Sequence, residues 1–428
     1  MLKEVPKAAP AAMKVSLYKH LHRLRPDIDL ETIASLIIDE ASYYRDHKDI
    51  QKAGARAVDH YFKFGEKENR KYTFPKIGFT RNLTPNIVTS GRTIYYTTAS
   101  SDNASWLYRC IFPFERNEEN TKDVFLSGSN LLSTILLAVF SSKKIVMMRP
   151  IYTPITIYII QLCRRIGVHV QFDYDDLLLP EFARQRGACR SGLRSHKDDF
   201  SESLKQSSLA AHADSFTCST EAIASELRKI SPNVEVRKNK LPKALFQEQI
   251  EMLARVQSKG PELGKLRILY LSGSNTHKRD FSTIMGPLVR IAQEHPTEFS
   301  ITFMGSLSDY SGLFKAMGVE SDVRPSVSFV DMLKIIRDHD VVLVPLEFSV
   351  FNHCKSNIKY VESASQGVPV IASSVAEFAS SIRDGVNGWL CDDEHQWYET
   401  LKKVVLNPAL TNRCGISAFS HAKAEFGI

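Results

Sequence analysis

Short β-rich runs alternate with helical stretches twice over in this chain, and no other feature restricts its fold as strongly. In the first series, runs at 93–97, 123–126, 144–148, 168–172, 215–218 and 234–237 are separated by helical stretches that include 131–140, 156–166 and 221–229. In the second, runs at 267–271, 300–304, 327–329, 341–344 and 368–372 are separated by helices at 281–294, 331–337 and 358–366. Strand–helix–strand order of this kind calls for a parallel sheet with helices on both faces. The expected class is therefore α/β, with two successive open-sheet domains and a cleft between them. Residues 14–75 carry no strand signal and read as charged helices with a break at Pro26, Asp27 and Asp29. The 428 residues exceed one ordinary core. The expected layout is a helical segment over 1–80, a first α/β domain over 90–258, a second over 263–394, and a C-terminal helix over 395–428 crossing back.

Composition narrows the function classes. Lys and Arg number 55 against 48 Asp and Glu, a net charge of +7. That excess favours phosphate or anionic lipid as a partner, but it is too small and too spread for a dedicated nucleic-acid binder. The 7 cysteines include no CxxC pair, so neither a disulfide framework nor a structural zinc site is expected. A reducing cytoplasm fits best. Residues 1–12 lack the apolar core of a secretory signal. The apolar stretches at 131–140 and 151–163 are too short to span a bilayer, which leaves a peripheral place on the inner face of the cytoplasmic membrane open.

Two segments carry a family resemblance. Within 43–70, Tyr43 and Tyr44 precede Lys48-Asp49-Ile50, then Gly54, His60-Tyr61, Gly65 and Glu68-Asn69-Arg70. This is similar to a short helical repeat at the front of bacterial polysaccharide glycosyltransferases, with Lys48 in place of the usual proline. Its physical reading is packing, with aromatics on a helical face and Gly where helices approach or end. Residues 345–390 contain a strand ending in Pro345-Leu346, a loop, a helix carrying Glu362, the Gly367-Val368-Pro369-Val370 run, Ser373 after it, and an Asp384-Gly385-Val386-Asn387-Gly388 turn. They resemble the nucleotide-sugar site of two-domain (GT-B) glycosyltransferases, specifically the retaining family 4. The likeness covers 266–394 and extends to the preceding domain by order of elements only. It implies two Rossmann-like domains.

The chemistry such a site needs is visible in the residues. A diphosphate leaving group is stabilised by backbone N–H groups and the positive end of a helix, and Cys354-Lys355-Ser356-Asn357 leads directly into the helix at 358–366. Lys355 would add charge where the diphosphate gains it. The resemblance implies that Glu362 accepts hydrogen bonds from the donor ribose, with Ser356 and Asn357 beside the phosphates. The family's first Glu, eight positions earlier, is replaced here by Cys354, with Glu347 as a substitute or merely a loop carboxylate. After the first strand of the second domain, Gly273, Ser274, Lys278 and Arg279 form a turn into a helix. The resemblance implies Arg279 as the second diphosphate cation, with Ser274 where the family has its Arg and Lys278 as the alternative, against plain solvated charges.

In the first domain, Asp173, Asp175 and Asp176 invite a metal reading, but two-domain enzymes need no metal where cations and a helix end supply the charge. The remaining readings are a cleft role, with Asp175 as base and Asp173 and Asp176 contacting acceptor hydroxyls, or a structural cap. Gly128 and Ser129 are lesser acceptor candidates. Arg109 and Arg149, at element ends, read as surface arginines or as groups pointing into the cleft, and His277 as a solvated loop histidine or a hydrogen-bond partner in catalysis. Arg184, Arg186, Arg190, Arg194, His196 and Lys197 form a basic run, expected as a mobile loop that is merely solvated or meets a phosphorylated lipid acceptor or anionic membrane.

The expected activity is metal-independent retaining transfer from a nucleotide-diphosphate sugar to a glycan or lipid-linked glycan, for O-antigen, capsule or a related surface polysaccharide, with no cofactor and no nucleic acid. Other polysaccharide-assembly proteins are the expected protein partners. The alternatives are a non-catalytic GT-B-like scaffold, which Cys354 favours, and a nucleotide-sugar epimerase.

Overall fold

The computed structural model describes residues 17–78, 92–97, 104–115, 124–127, 131–248, 251, 264–273, 275–305 and 310–428. Among them, twelve strands form two six-stranded sheets. In chain order the strands are β1 (Arg92–Thr97), β2 (Val124–Ser127), β3 (Ser142–Met148), β4 (His169–Tyr174), β5 (Ser215–Cys218) and β6 (Val234–Val236), then β7 (Leu266–Ser272), β8 (Phe299–Gly305), β9 (Glu320–Arg324), β10 (Val341–Val344), β11 (Val370–Ser373) and β12 (Trp389–Cys391). The sheet orders are β2-β1-β3-β4-β5-β6 and β12-β11-β10-β7-β8-β9. In the second sheet every described pairing is parallel. Its strands β7, β10 and β11 are buried on both faces and correspondingly rich in Val, Ile and Leu.

The chain forms two compact units, one of Met1–Ser101, Glu119–Phe172 and Leu209–Ser215, the other of Asp102–Glu118, Asp173–Ser208 and Phe216–Ile428. In the first, the front helices Leu30–Ile37 and Glu40–Asp46 begin on Asp29 and Asp39, whose carboxylates accept from Thr32 and Ser42 N–H. The residues of the 43–70 pattern interlock. Tyr43 is fully buried, and its hydroxyl meets His60 Nδ1 at 3.0 Å. The Tyr44 hydroxyl donates to the Ala55 carbonyl at 3.0 Å, and Arg70 pairs with Asp49 and Glu68. A Cβ at Gly65 would lie 2.8 Å from the Tyr43 hydroxyl, so this glycine marks a close approach. The front segment is tied to the helices around the first strands: Tyr158 donates to Leu36 O at 2.9 Å, and Arg25 to Ile166 O at 2.7 Å.

The second unit holds the complete second sheet. Three expectations fail there, the first being the single C-terminal helix over 395–428, which is two, Glu394–Leu406 and Ala409–Phe426. Residues 327–329 are not a strand; Ser328 caps the helix Phe329–Arg337 by accepting from Asp331 N–H. The helix expected over 281–294 is two, Lys278–Ser282 and Met285–Glu294. The chain's last helix, Ala409–Phe426, ends by pairing with the segment after β6, Leu241 N–H donating to Phe426 O and Ile428 N–H to Leu241 O, each at 2.9 Å.

Gly305 closes β8 in the left-handed region at φ +97°, and a Cβ there would sit 1.9 Å from the Ser272 carbonyl oxygen. That atom is backbone at the end of β7 and cannot swing aside. Gly305→Ala is expected to destabilise the protein by about 3 kcal/mol in denaturant unfolding; a loss below about 0.5 kcal/mol would contradict this packing.

Candidate functional site

The site follows from strand order. β7 and β10 are neighbours, with Tyr270 opposite Leu343, although β8 and β9 come between them in sequence. The chain order therefore reverses between β7 and β10, and the loops leaving their carboxyl ends emerge side by side, where open α/β sheets bind ligands. One loop runs through Gly273 and the turn Asn275–His277 into Lys278–Ser282; the other passes Glu347 and the short helix Val350–His353 to Cys354 and then Ile358–Ser365.

Asp280 joins the two loops. Its Oδ1 accepts from Asn352 Nδ2 at 2.8 Å and from Glu347 N–H at 3.1 Å, while Oδ2 meets His277 Nδ1 at 3.1 Å. Burial opposes its charge, but these donors hold it below the ordinary carboxylate range. His277 is not the solvated side chain expected. Burial, with the Lys359 and Lys355 ammonium groups nearby, pushes its pKa down to about 4, so the ring is neutral near pH 7.

The helix Ile358–Ser365 starts without a side-chain cap. Asn357 occupies the cap position, yet its amide is buried and donates to Ser381 Oγ at 2.7 Å, so this side chain is a brace rather than the donor contact expected. Among the described residues, no acceptor is found for the N–H groups of Ile358 and Lys359, which leaves the positive end of the helix dipole exposed. Lys355 lies beside it, its Nζ 5.1 Å from the Phe351 ring centroid. Lys359, absent from the expected residues, reaches back to donate to the Leu271 carbonyl at 2.9 Å. Burial and the charge of Lys355 bring its pKa down to about 8. The available signal was its position, in the first turn of the helix that follows the Lys355 loop.

Glu362 is buried one turn into the helix. Burial pushes its pKa up to about 7, against the opposing pull of a hydrogen bond donated by the Tyr108 hydroxyl and the charge of Lys359. The motif residues behind it are supports. Asn387 of the Asp-Gly turn donates to the Tyr360 hydroxyl at 3.0 Å, and Ser373 Oγ accepts from Leu346 N–H at 2.9 Å.

The other expected residues are distributed as follows. Arg279 and Lys278 are exposed. Arg279 pairs with Glu347 Oε1 at 3.1 Å, and Arg190 holds the same carboxylate, so Glu347 is a paired group rather than an open loop carboxylate. Gly273 is exposed with open space around it; Ser274, Gly128 and Ser129 lie outside the described residues. Cys354 is 2% exposed, burial pushes its thiol up to about 12, and its carbonyl accepts from Thr220 Oγ1 at 3.0 Å. It is a small buried hydrophobe here and supplies nothing like a carboxylate.

Asp173 and Arg109 correct the sequence reading most sharply. Neither faces solvent: they are 0% and 1% exposed and form a bidentate pair, both contacts 2.8 Å. Thr217 and Arg237 also donate to Asp173, at 2.5 and 3.3 Å, so its oxygens have no room for an acceptor hydroxyl. Burial raises the cost of its charge, but Arg109 outweighs this and keeps its pKa low. Asp175 and Asp176 are half-buried; the Asp175 carbonyl accepts from Ser219 Oγ, and Asp176 Oδ1 from Leu177 N–H. Among the described residues, no three His, Cys, Asp or Glu side chains group to hold a metal ion. The basic run is partly helical rather than one loop: Arg186 and Arg194 pair with buried Asp199 at 3.7 and 3.4 Å, while Arg184, His196 and Lys197 are exposed.

Residues 267–407 match the family model described as glycosyl transferases group 1 and form a domain of that type. The chain is also similar to the D-inositol 3-phosphate glycosyltransferases of Thermobifida fusca and of a Nocardioides species, 29% identical over 116 and 134 residues. These stretches cover 26% and 30% of this chain, and the chain spans about a quarter of each relative's length (26% and 27%). Among solved structures, Anabaena Alr3699/HepE in complex with UDP and glucose is 12% identical, with a TM-score of 0.53 over 79% of this chain and 96% of that one. Sucrose-phosphate synthase from Thermosynechococcus elongatus is 13% identical, with a TM-score of 0.53 over 78% and 95%. The fold is GT-B-like: two parallel-sheet α/β domains with a helical front segment.

Removing the Tyr108 hydroxyl takes away a bond that favours ionised Glu362. Tyr108→Phe is expected to move the Glu362 midpoint further above 7, followed by carboxyl-carbon NMR against pH; an unmoved or lowered midpoint would contradict the contact. Because the folded carboxyl titrates above its ordinary 4.5, its contribution to stability is full below that pH and is lost as pH rises through about 7. Glu362→Gln should flatten that decline.

Proposed function

We propose that this protein is a glycosyltransferase that moves a sugar from a nucleoside-diphosphate sugar to a glycan or lipid-linked glycan, with retention at the anomeric carbon and without a metal ion, in the synthesis of a bacterial surface polysaccharide such as O-antigen or capsule. The observation that carries this reading is the uncapped start of Ile358–Ser365, flanked by Lys355 and Lys359 at the reversal of strand order, inside a group 1 domain. Uncapped N–H groups and a helix dipole bind phosphate oxygens. As the glycosidic bond breaks, negative charge grows on the leaving diphosphate, and Lys355 adds stabilisation that the ground state needs less. Arg279, exposed at the neighbouring loop, is the second cation, and it exchanges Glu347 for the diphosphate. Lys278 and the backbone at Gly273 line the same loop, and Ser274 is a further proposed donor contact. Glu362 accepts the ribose hydroxyls, for which its bond with Tyr108 must open or share. Asp175 serves the acceptor hydroxyl as base, with Asp176 beside it.

HepE contains UDP and glucose, which makes UDP-glucose the first donor to try. The acceptor is a glycan on a lipid carrier, and the exposed Arg184, His196 and Lys197 suit an anionic membrane surface on the cytoplasmic side. A scaffold without catalysis is the second reading, favoured by the buried thiol of Cys354 at the position where the family resemblance implies a Glu.

The test is sugar transfer or donor hydrolysis with UDP- and GDP-linked donors. Lys355→Ala should lower turnover about a hundredfold with little change in the unfolding midpoint. Unchanged turnover would remove Lys355 from the mechanism, and failure of the wild type to bind any donor would favour the scaffold.

A further inference from the structure

The buried Arg109–Asp173 pair continues toward the phosphate loop. Arg109 Nη1 donates to Asn239 Oδ1 at 3.0 Å, and Asn239 Nδ2 donates to Ser356 Oγ at 3.0 Å. The direction of each bond is fixed by chemistry. A guanidinium has only donors, so the oxygen of the Asn239 amide must face Arg109 and its NH2 must face Ser356. Ser356 therefore accepts this bond and keeps its single hydroxyl proton for another partner. Among the described residues no acceptor for that proton is found, and Ser356 is half-exposed, one residue before the cap position of Ile358–Ser365. Asn239 is 5% exposed, and the rest of its strand exit is anchored: Lys238 pairs with Glu377 at 2.9 Å, and Leu241 pairs with the chain's C-terminal segment. The amide has no freedom to turn over without leaving two buried donors face to face.

We infer that Asn239 is a positioning residue, which transmits the orientation of the buried Arg109–Asp173 pair to Ser356 so that the Ser356 hydroxyl donates to a phosphate oxygen of the donor. This rests on the donor reading above and names a part of the site that lies on neither loop of the second sheet. It also gives the Arg109–Asp173 pair a use beyond stability. Breaking such a pair leaves a buried charge, but keeping it fixes which way the next polar group faces.

The test uses the full chain and calorimetric titration with UDP and GDP, with uridine and guanosine as references. Ser356→Ala and Asn239→Ala should each weaken the diphosphate about five- to tenfold, a hydrogen bond's worth, while leaving nucleoside affinity unchanged. The double variant should bind within about twofold of either single one, because the two act as one unit. Ser356→Thr, which keeps the hydroxyl, should restore binding. Losses that multiply in the double variant, or that fall equally on the nucleoside, would overturn the relay. If Asn239→Ala fails to fold, Asn239→Asp keeps an acceptor for Arg109 but draws the Ser356 proton to itself; undiminished diphosphate affinity there would overturn it as well. A wild type that binds neither nucleotide contradicts the donor reading and the relay together, whereas multiplied losses on a wild type that binds contradict the relay alone.

Discussion

The parallel pairing of β7 with β10 governs the candidate site, because it sets two loops from distant parts of the sequence at one sheet edge. Once Tyr270 stands opposite Leu343, the turn after β7 and the loop after β10 must leave in the same direction, and Asp280 can bridge them. The left-handed Gly305 lets β8 finish against Ser272 without obstructing that exit. The helix Ile358–Ser365 is then held from behind by Asn387 on Tyr360 and by Tyr360 on His421, at 3.0 and 2.8 Å. A rigid support of this kind matters for an anion seat, since dipoles that need not reorganise stabilise developing charge most effectively.

The electrostatics of the edge are unbalanced in a consistent direction. Lys355, in the loop before Ile358–Ser365, and Lys359, in its first turn, stand beside a helix start that is itself positive; burial, with the charge of Lys355 added, lowers the pKa of Lys359, and burial with both ammonium groups nearby lowers that of His277. Glu362, the carboxylate inside the helix, is pushed the other way by burial and binds a hydroxyl rather than a cation. Such a site is short of negative charge, and a bound diphosphate would supply it. Where strong burial does meet strong charge, at Arg109 and Asp173, the pair is internally neutral and every oxygen of Asp173 is occupied.

Much of this was legible in the sequence, and what was not has definite causes. The buried strands β7, β8, β10 and β11 announce themselves as apolar runs. β9 does not, because Glu320–Arg324 is a polar edge strand in which only Ser321 is buried. The run 327–329 looked like a strand through its Val and Phe, but Ser328 followed by Asp331 is a helix cap, and that signal outweighs β propensity. The break at 283–284 was readable from Pro287 near the start of the second helix. Lys355 and Glu362 could be placed through the motif around them, since one short segment carries both. Arg109 could not, because its partners Asp173, Arg237 and Asn239 lie 64, 128 and 130 residues away, and no local pattern connects them. Its burial reverses the usual expectation for an arginine, which holds only where no partner is at hand.

We propose that the phosphates of a nucleotide sugar sit at the start of Ile358–Ser365. The most direct measurement is a crystal structure of the protein with a nucleoside diphosphate that it binds. Phosphate oxygens are expected within hydrogen-bond distance of the Ile358 and Lys359 N–H groups, with the Lys355 ammonium beside them. A nucleotide bound elsewhere, or a diphosphate held through a divalent ion on Asp175 and Asp176, would contradict it.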